Sequence, residues 1–274
     1  KLKKYYKKKI KLIPNSFQRG FSKISGNKFK LISAVAMFYD LEEPLKLVNL
    51  IKTILCKDGI LHIEVAYLPE IIRTFSYDTF CQEHYEYYSF MSLQYIFNKS
   101  NMKIIDFGFN DINGGSIWIN VSHLNSKYPL KSKKINSQIK YEKSKEINKV
   151  KTYRNFFKNV FKHAKKLNLL VSKLKEKNLK ISGLGASTKG NVLLQLAKLN
   201  NKKIDRIYEV NKEKFGNLTP ITKINILDEK QIDNYYQDYL LILIWHFKSF
   251  IYKKIKKKNK KIKLIIPFPK IKII

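Results

Sequence analysis

Two cysteines, Cys56 and Cys81, are all that 274 residues contain. They stand apart, with no CxxC or Cys/His ligand spacing, so neither a disulfide framework nor a cysteine-based zinc site is supported, and a reducing cytoplasm fits. Arginine is scarce too: Arg19, Arg73, Arg154 and Arg206 are the only ones among 55 basic residues. Base edges and phosphates favour arginine's planar donors, which weakens what a formal net charge of +34 would otherwise say about nucleic acid. The joint wealth of lysine, isoleucine and asparagine reads as drift of an adenine- and thymine-rich coding sequence, and nucleic acid is not the expected partner. Long apolar runs are missing as well. The longest, Tyr239 to Trp245, falls far short of the roughly 20 residues a membrane helix requires, so no membrane partner is expected. The chain opens on Lys1 without a methionine, and no apolar signal core follows the basic stretch Lys1 to Lys9. The expectation is a chain that starts inside a longer protein.

What is present is an ordinary globular composition, 44% hydrophobic and 13% aromatic, enough for a packed core. Leu31 to Met37 reads as a strand buried on both faces. Glu42 to Leu55 repeats apolar residues at helical spacing, with Pro44 tolerated in the first turn. A turn at Lys57, Asp58 and Gly59 then leads into a strand over Ile60 to Val65, one strand–helix–strand unit of a doubly wound sheet. Tyr67 to Phe90 has the character of an active-site loop and leads into a helix over Ser89 to Asn98. Met102 to Phe109 and Ser116 to Ser122 read as paired strands joined through Asn113, Gly114 and Gly115. Residues 125–180 are lysine-laced and helix-compatible, with Phe156, Val160, Phe161, Ala164, Leu167 and Val171 on one face. Beyond them Leu179 to Ser182, Ile204 to Glu209, Tyr239 to Trp245 and Leu264 to Pro267 read as strands of a second α/β domain, with a helix over Asn191 to Leu199.

Three stretches carry chemistry. Cys81-Gln-Glu-His-Tyr-Glu-Tyr-Tyr88 sets an imidazole among carboxylates and phenols, a setting that can tune it to take a weakly acidic C–H proton; the bland reading is a packed loop histidine. Gly114, Gly115 and Ser116 either permit close ligand approach or make a plain hairpin turn. Gly183, Gly185, Ser187, Thr188 and Lys189 form a glycine-rich turn between a strand and the helix that starts at Asn191, and its N–H groups, hydroxyls and ammonium suit a diphosphate or sugar, although a lone Gly-x-Gly often marks only a tight connection.

These stretches occur in a recognisable order. "FSYDTFCQEHYEYYSFMSL", "GFNDINGGSIW", "ISGLGASTKGNVLLQL", "DYLLILIWHF" and "LIIPFP" together resemble the sugar C-methyltransferases that use S-adenosylmethionine, over roughly residues 31 to 270. The resemblance implies an α/β fold: the second half of a class I methyltransferase Rossmann-like sheet, a helical connector, and a second Rossmann-like domain. The corresponding expectation is a partial methyltransferase domain with the catalytic loop at 1–125, the connector at 126–178 and a nucleotide-sugar-binding domain at 179–274. It further implies C-methylation of a nucleotide-linked keto-deoxy sugar, with His84 as the base that deprotonates the carbon beside the ketone. Glu83 corresponds to the carboxylate that orients substrate or base, and Tyr87 is a candidate to support the enolate where the family's tyrosine is replaced by Cys81. Gly114, Gly115, Ser116, Gly183, Gly185, Ser187, Lys189 and Asn191 correspond to substrate-binding positions. Ala36, Met37 and Phe38 correspond to the edge of the S-adenosylmethionine site. The cofactor's glycine loop and the family's zinc-binding cysteines are not found in this chain, so no metal ligand is assigned, and the missing amino-terminal part is a candidate partner chain. Departures from the pattern stand at Asn113, Trp118, Glu209, Ile221 and His246. The alternative is a nucleotide-sugar-binding remnant without catalysis, and behind it a lysine-rich nucleic-acid binder.

Overall fold

A computed structural model describes residues 10–258 and 261–274. In chain order its helices are α1 Phe17–Gly20, α2 Pro44–Ile54, α3 Leu68–Thr74, α4 Phe90–Lys99, α5 Ser132–Ser144, α6 Val150–Glu176, α7 Thr188–Leu196 and α8 Lys248–Lys258. Its strands are β1 Phe29–Val35, β2 Leu55–Ala66, β3 Met102–Asn110, β4 Ser116–His123, β5 Ile181–Leu184, β6 Ile207–Glu209, β7 Ile226–Asp228, β8 Tyr239–Ile242, β9 Lys263–Ile266 and β10 Lys272–Ile273. The described residues fall into two compact units: 10–67, 85–110 and 116–142 in the first, and 68–84, 111–115, 143–258 and 261–274 in the second.

The first unit holds a four-stranded sheet in the order β1-β2-β4-β3. β1 and β2 are parallel, and β4 inserts antiparallel between β2 and β3. α2 buries Leu47, Val48, Ile51 and Ile54 at helical spacing. The turn expected at Lys57–Gly59 is absorbed into β2, with the irregularity displaced into its pairing: the register with β1 shifts between Phe29 and Leu31. A strand can carry such a slip as a bulge without ending. α4 starts at Ser89, whose hydroxyl accepts from Ser92 N–H in a capping box. The carboxylate of Glu142 lies at the same helix start. It accepts from Phe90 N–H at 2.6 Å, Met91 N–H at 2.9 Å and the Tyr67 hydroxyl at 2.6 Å, so a fully buried charge meets the positive end of a helix dipole.

The second unit is a six-stranded sheet, β10-β9-β8-β5-β6-β7, parallel except for β10. Alternate residues of β8 and β9 serve two cores. Tyr239, Leu241 and Ile265 pack with α6 and α7, while Leu240, Ile242, Leu264 and Ile266 pack with Ile251 and Ile255 of α8. Both faces are thus covered, as parallel sheets require. α6 buries Phe156, Val160, Ala164, Leu167 and Val171, whereas Phe161, also expected on that face, is 63% exposed. It follows Val160 by one residue and is therefore turned about 100° around the helix. β7 and β10, three and two residues long, are too short to leave a periodic signal, and both escape a reading of hydrophobic pattern.

Candidate functional site

In an open parallel sheet, ligands settle where the strand order reverses, beyond the carboxyl ends of the strands. Here that point lies between β5 and β8, which pair from Ile181–Tyr239 to Leu184–Ile242. The β5–α7 turn, Gly185 to Ser187, and the segment after β8, Leu243 to His246, are therefore brought together. Gly185 has φ +92°, a left-handed conformation that glycine takes without penalty. Ser187 is the N-cap of α7, its hydroxyl accepting from Gly190 N–H at 3.0 Å.

Residues 68–84 belong to the same unit, and the 3-10 turn Tyr77–Thr79 packs against α7. Tyr77 is fully buried. Its hydroxyl lies 3.0 Å from His163 Nδ1, and His163 Nε2 lies 2.9 Å from the Pro267 carbonyl. A carbonyl only accepts, so Nε2 carries the proton and Nδ1 accepts from the tyrosine. Burial holds the His163 pKa below the usual histidine value, which preserves this neutral tautomer. Asp78, 1% exposed, takes a hydrogen bond from Trp245 Nε1 at 2.8 Å, while its Oδ1 has no partner. Gly114, at φ +91°, lies under the same indole: a Cβ there would come within 3.2 Å of the Trp245 ring. Gly115, at φ +125°, lies against Glu70, whose carboxylate pairs with Arg73.

Around Lys189 the electrostatics converge. Burial pushes the Asp78 carboxyl up to about 6, against the pull of the Lys189 charge and the Trp245 hydrogen bond. Burial lowers the Lys189 pKa, while Asp78 and Cys81 raise it. Burial, aided by Lys189, takes His246 down to about 4, and its buried Nδ1 has no partner. The Cys81 thiol is raised chiefly by burial and lowered in part by Lys189. Cys81 and Thr188 also line a groove of about 490 Å³ with Asn191, Gln195, Pro220 and Ile221.

The expected site residues are distributed as follows. Glu83 is exposed and accepts from the Thr188 hydroxyl at 3.3 Å. His84, half-buried, donates its N–H to the Cys81 carbonyl. Both lie in the second unit, with Gly114, Gly115, Gly183, Gly185, Ser187, Lys189 and Asn191, whereas Tyr87 and Ser116 lie in the first. Gly183 faces β6: a Cβ would come within 2.9 Å of Ile207, which makes it a packing glycine. The Oδ1 of Asn191 is buried without a partner. The sequence quotation included Asp78 and Trp245 without a role for either, because nothing local shows that residues 167 positions apart share a hydrogen bond. Ile221, a departure from the family pattern, has φ +64°; a β-branched residue in that region is strained where glycine is not.

Ala36, Met37 and Phe38 do not fit as a binding set for S-adenosylmethionine. Ala36 N–H is taken by the Glu64 carbonyl, the Phe38 carbonyl lies 3.4 Å from the Tyr88 hydroxyl that donates to it, and the Phe38 ring is fully buried between Tyr88 and Phe97. Among the described residues no group of three or more His, Cys, Asp or Glu side chains could hold a metal ion, and no helix is long and apolar enough to cross a membrane.

Comparison with known proteins agrees with the family that the motifs resemble. The chain is similar to the C-methyltransferase NovU of Streptomyces niveus, 26% identical over 202 residues, which is 74% of this chain and 48% of that protein. It thus spans about half the length of that relative. The mixed α/β architecture is methyltransferase-like. The family model described as the C-methyltransferase C-terminal domain matches residues 111–269, more than half of the chain, and the chain belongs to that family.

Proposed function

We propose that this chain is the substrate-handling part of a C-methyltransferase acting on a nucleotide-linked keto sugar, and that its own chemistry is removal of a proton from the carbon beside the ketone. The reading is carried by one observation: residues 76–84, the β5–α7 turn and the Gly114–Gly115 turn belong to one compact unit, at the switch point of its sheet. The His84 imidazole takes the proton as the C–H bond breaks, and the electron pair moves through the carbon into the carbonyl oxygen, giving an enolate. Its carbon is the nucleophile that C-methylation needs. Glu83, tied to Thr188 at the start of α7, orients the loop that carries the base. The methyl donor, S-adenosylmethionine by resemblance, has to be held by residues other than Ala36–Phe38.

Deuterium exchange at the carbons flanking the ketone of a thymidine diphosphate-linked 4-keto-6-deoxyhexose, followed by proton NMR in heavy water, tests this without a methyl donor. The wild-type chain is expected to catalyse exchange, and His84→Ala to lower it by about 10³-fold, the middle of the usual general-base range. Exchange that persists in His84→Ala refutes the base assignment. A second reading, a nucleotide-sugar binder without catalysis, draws on the poor fit of Ala36–Phe38 to the cofactor; binding of the same sugar nucleotide with no exchange above buffer would establish it.

A further inference from the structure

In a chain of which 28% is charged, with a net charge of +34, the groove of about 490 Å³ beside Thr188 is lined by no Lys, Arg, Asp or Glu side chain among the described residues. All of its lining lies in the second unit. It runs along one face of α7, where Thr188, Asn191, Val192, Gln195 and Leu196 recur at i, i+3, i+4, i+7 and i+8. Gly190, Leu193 and Leu194, on the other face, are buried. Seven residues of helix rise by about 10 Å. The groove therefore starts where the diphosphate of the proposed substrate meets helix N–H groups and continues for about the length of a nucleoside.

Three elements meet there. Phe80 comes from the loop that precedes His84, its ring backed by Phe156 and Phe157 at centroid distances of 5.8 and 5.6 Å. Pro220 and Ile221 come from the turn between β6 and β7. Among these apolar side chains stand the amides of Gln82, Asn191 and Gln195, each with donors and an acceptor. Ile221 is held at a cost: it is 76% exposed at φ +64°, a strained conformation for a β-branched residue. The turn around it is tied down, Thr219 N–H donating to the Ile224 carbonyl and Ile224 N–H to the Thr219 hydroxyl, both at 2.9 Å, with the Thr219 and Thr222 hydroxyls 2.7 Å apart. Strain survives where the surroundings over-determine it, and it collects at ligand clamps. What isoleucine adds over an unstrained glycine here is an apolar wall.

We propose that this groove binds the nucleobase of the substrate, with Ile221 and Phe80 packing on the ring and the amides of Gln82, Asn191 and Gln195 reading its edge. This rests on the nucleotide-linked substrate proposed above. A nucleobase is planar, uncharged at neutral pH and bordered by hydrogen-bond donors and acceptors, a pattern that side-chain amides match. Its faces take apolar or aromatic neighbours. A phosphate would find no cation in the groove, and a hexose would set its hydroxyls against Phe80, Pro220 and Ile221. The charged and neutral parts of the ligand are thus sorted along α7, the diphosphate at the helix start and the base toward Gln195.

Isothermal titration of the chain with uridine diphosphate, adenosine diphosphate and inorganic pyrophosphate tests this, because pyrophosphate carries the charge without the base. At least one nucleoside diphosphate is expected to bind about tenfold or more tighter than pyrophosphate, and the tighter of the two names a pyrimidine or a purine. Ile221→Gly is expected to weaken that nucleoside diphosphate by about tenfold while its Tm rises as the strain is relieved. Affinity lost by a more stable protein is a result that a merely structural role would not give. Gln195→Leu keeps the bulk, removes the amide and is expected to cost about fivefold; should Ile221→Gly not fold, this variant decides alone. Pyrophosphate bound as tightly as both nucleoside diphosphates overturns the groove, and so does a deciding variant that binds the nucleoside diphosphate within about twofold of wild type, well below what these contacts supply. Base-dependent binding without deuterium exchange keeps the groove and removes the deprotonation proposed above. Exchange by a chain that does not prefer nucleoside diphosphates keeps the deprotonation and removes the groove.

Discussion

Glu142 and Asp78 are both buried carboxylates, 0% and 1% exposed, and the two units treat them in opposite ways. In the first unit Glu142 accepts from two helix N–H groups and a phenol, and Gln138 donates to that phenol in turn. In the second unit Asp78 takes one indole hydrogen bond and leaves Oδ1 unpaired. A carboxylate satisfied on all sides is built for stability. One with an unpaired buried oxygen costs stability. The contrast teaches which of the two carboxylates its surroundings satisfy.

The largest effect expected in breaking that contrast is at the satisfied carboxylate. Glu142→Ala leaves the Phe90 and Met91 N–H groups and the Tyr67 O–H without their acceptor, the Tyr67 oxygen still accepting from Gln138, and should cost about 3 kcal/mol or more in urea unfolding. A loss under 1 kcal/mol would show that water replaces the carboxylate freely. Next comes the pH dependence of Asp78. Its folded-state carboxyl, raised to about 6, binds a proton more readily than the unfolded chain does. The wild-type protein therefore loses stability as pH rises through the window between the ordinary carboxylate value and about 6, with a slope of up to about 1.4 kcal/mol per pH unit from this group. Asp78→Asn should flatten that slope; an unchanged slope would place the titration elsewhere. A smaller change follows at Gly114, where alanine meets the Trp245 ring and an unfavourable φ together. Gly114→Ala should cost about 1–2 kcal/mol in the same urea unfolding. The smallest is a gain. Ile221 is 76% exposed at φ +64°, so Ile221→Gly should stabilise by about 1 kcal/mol, a rise of a few degrees in Tm measured by calorimetry.

Much of the architecture was legible along the chain. The apolar runs that became β5, β8 and β9 announce themselves because parallel strands buried on both faces need continuous hydrophobic residues, and α2 and α6 declare their buried faces through helical spacing; β1, also expected to be buried on both faces, is an edge strand with Leu31 and Val35 exposed. What was illegible had physical reasons. β7 and β10 are too short for periodicity, the Lys57–Gly59 signal became a slipped register inside β2, and Phe161 is hydrophobic but out of phase. At the candidate site, the stretches around His84, Gly114 and Lys189 that the ordered motifs marked belong to one compact unit. Gly183 is different: its absent side chain makes room for Ile207, a packing demand that no local pattern distinguishes from ligand approach.

By itself, then, the sequence determined the family and the α/β grammar, because these are written in local periodicity and in ordered short motifs. Only the tertiary structure decided that residues 68–84 and 111–115 belong with the second sheet and that Asp78 meets Trp245. Those pairings cross more than a hundred positions of chain, and what selects them is the reversal of strand order between β5 and β8, a property of how the sheet assembles.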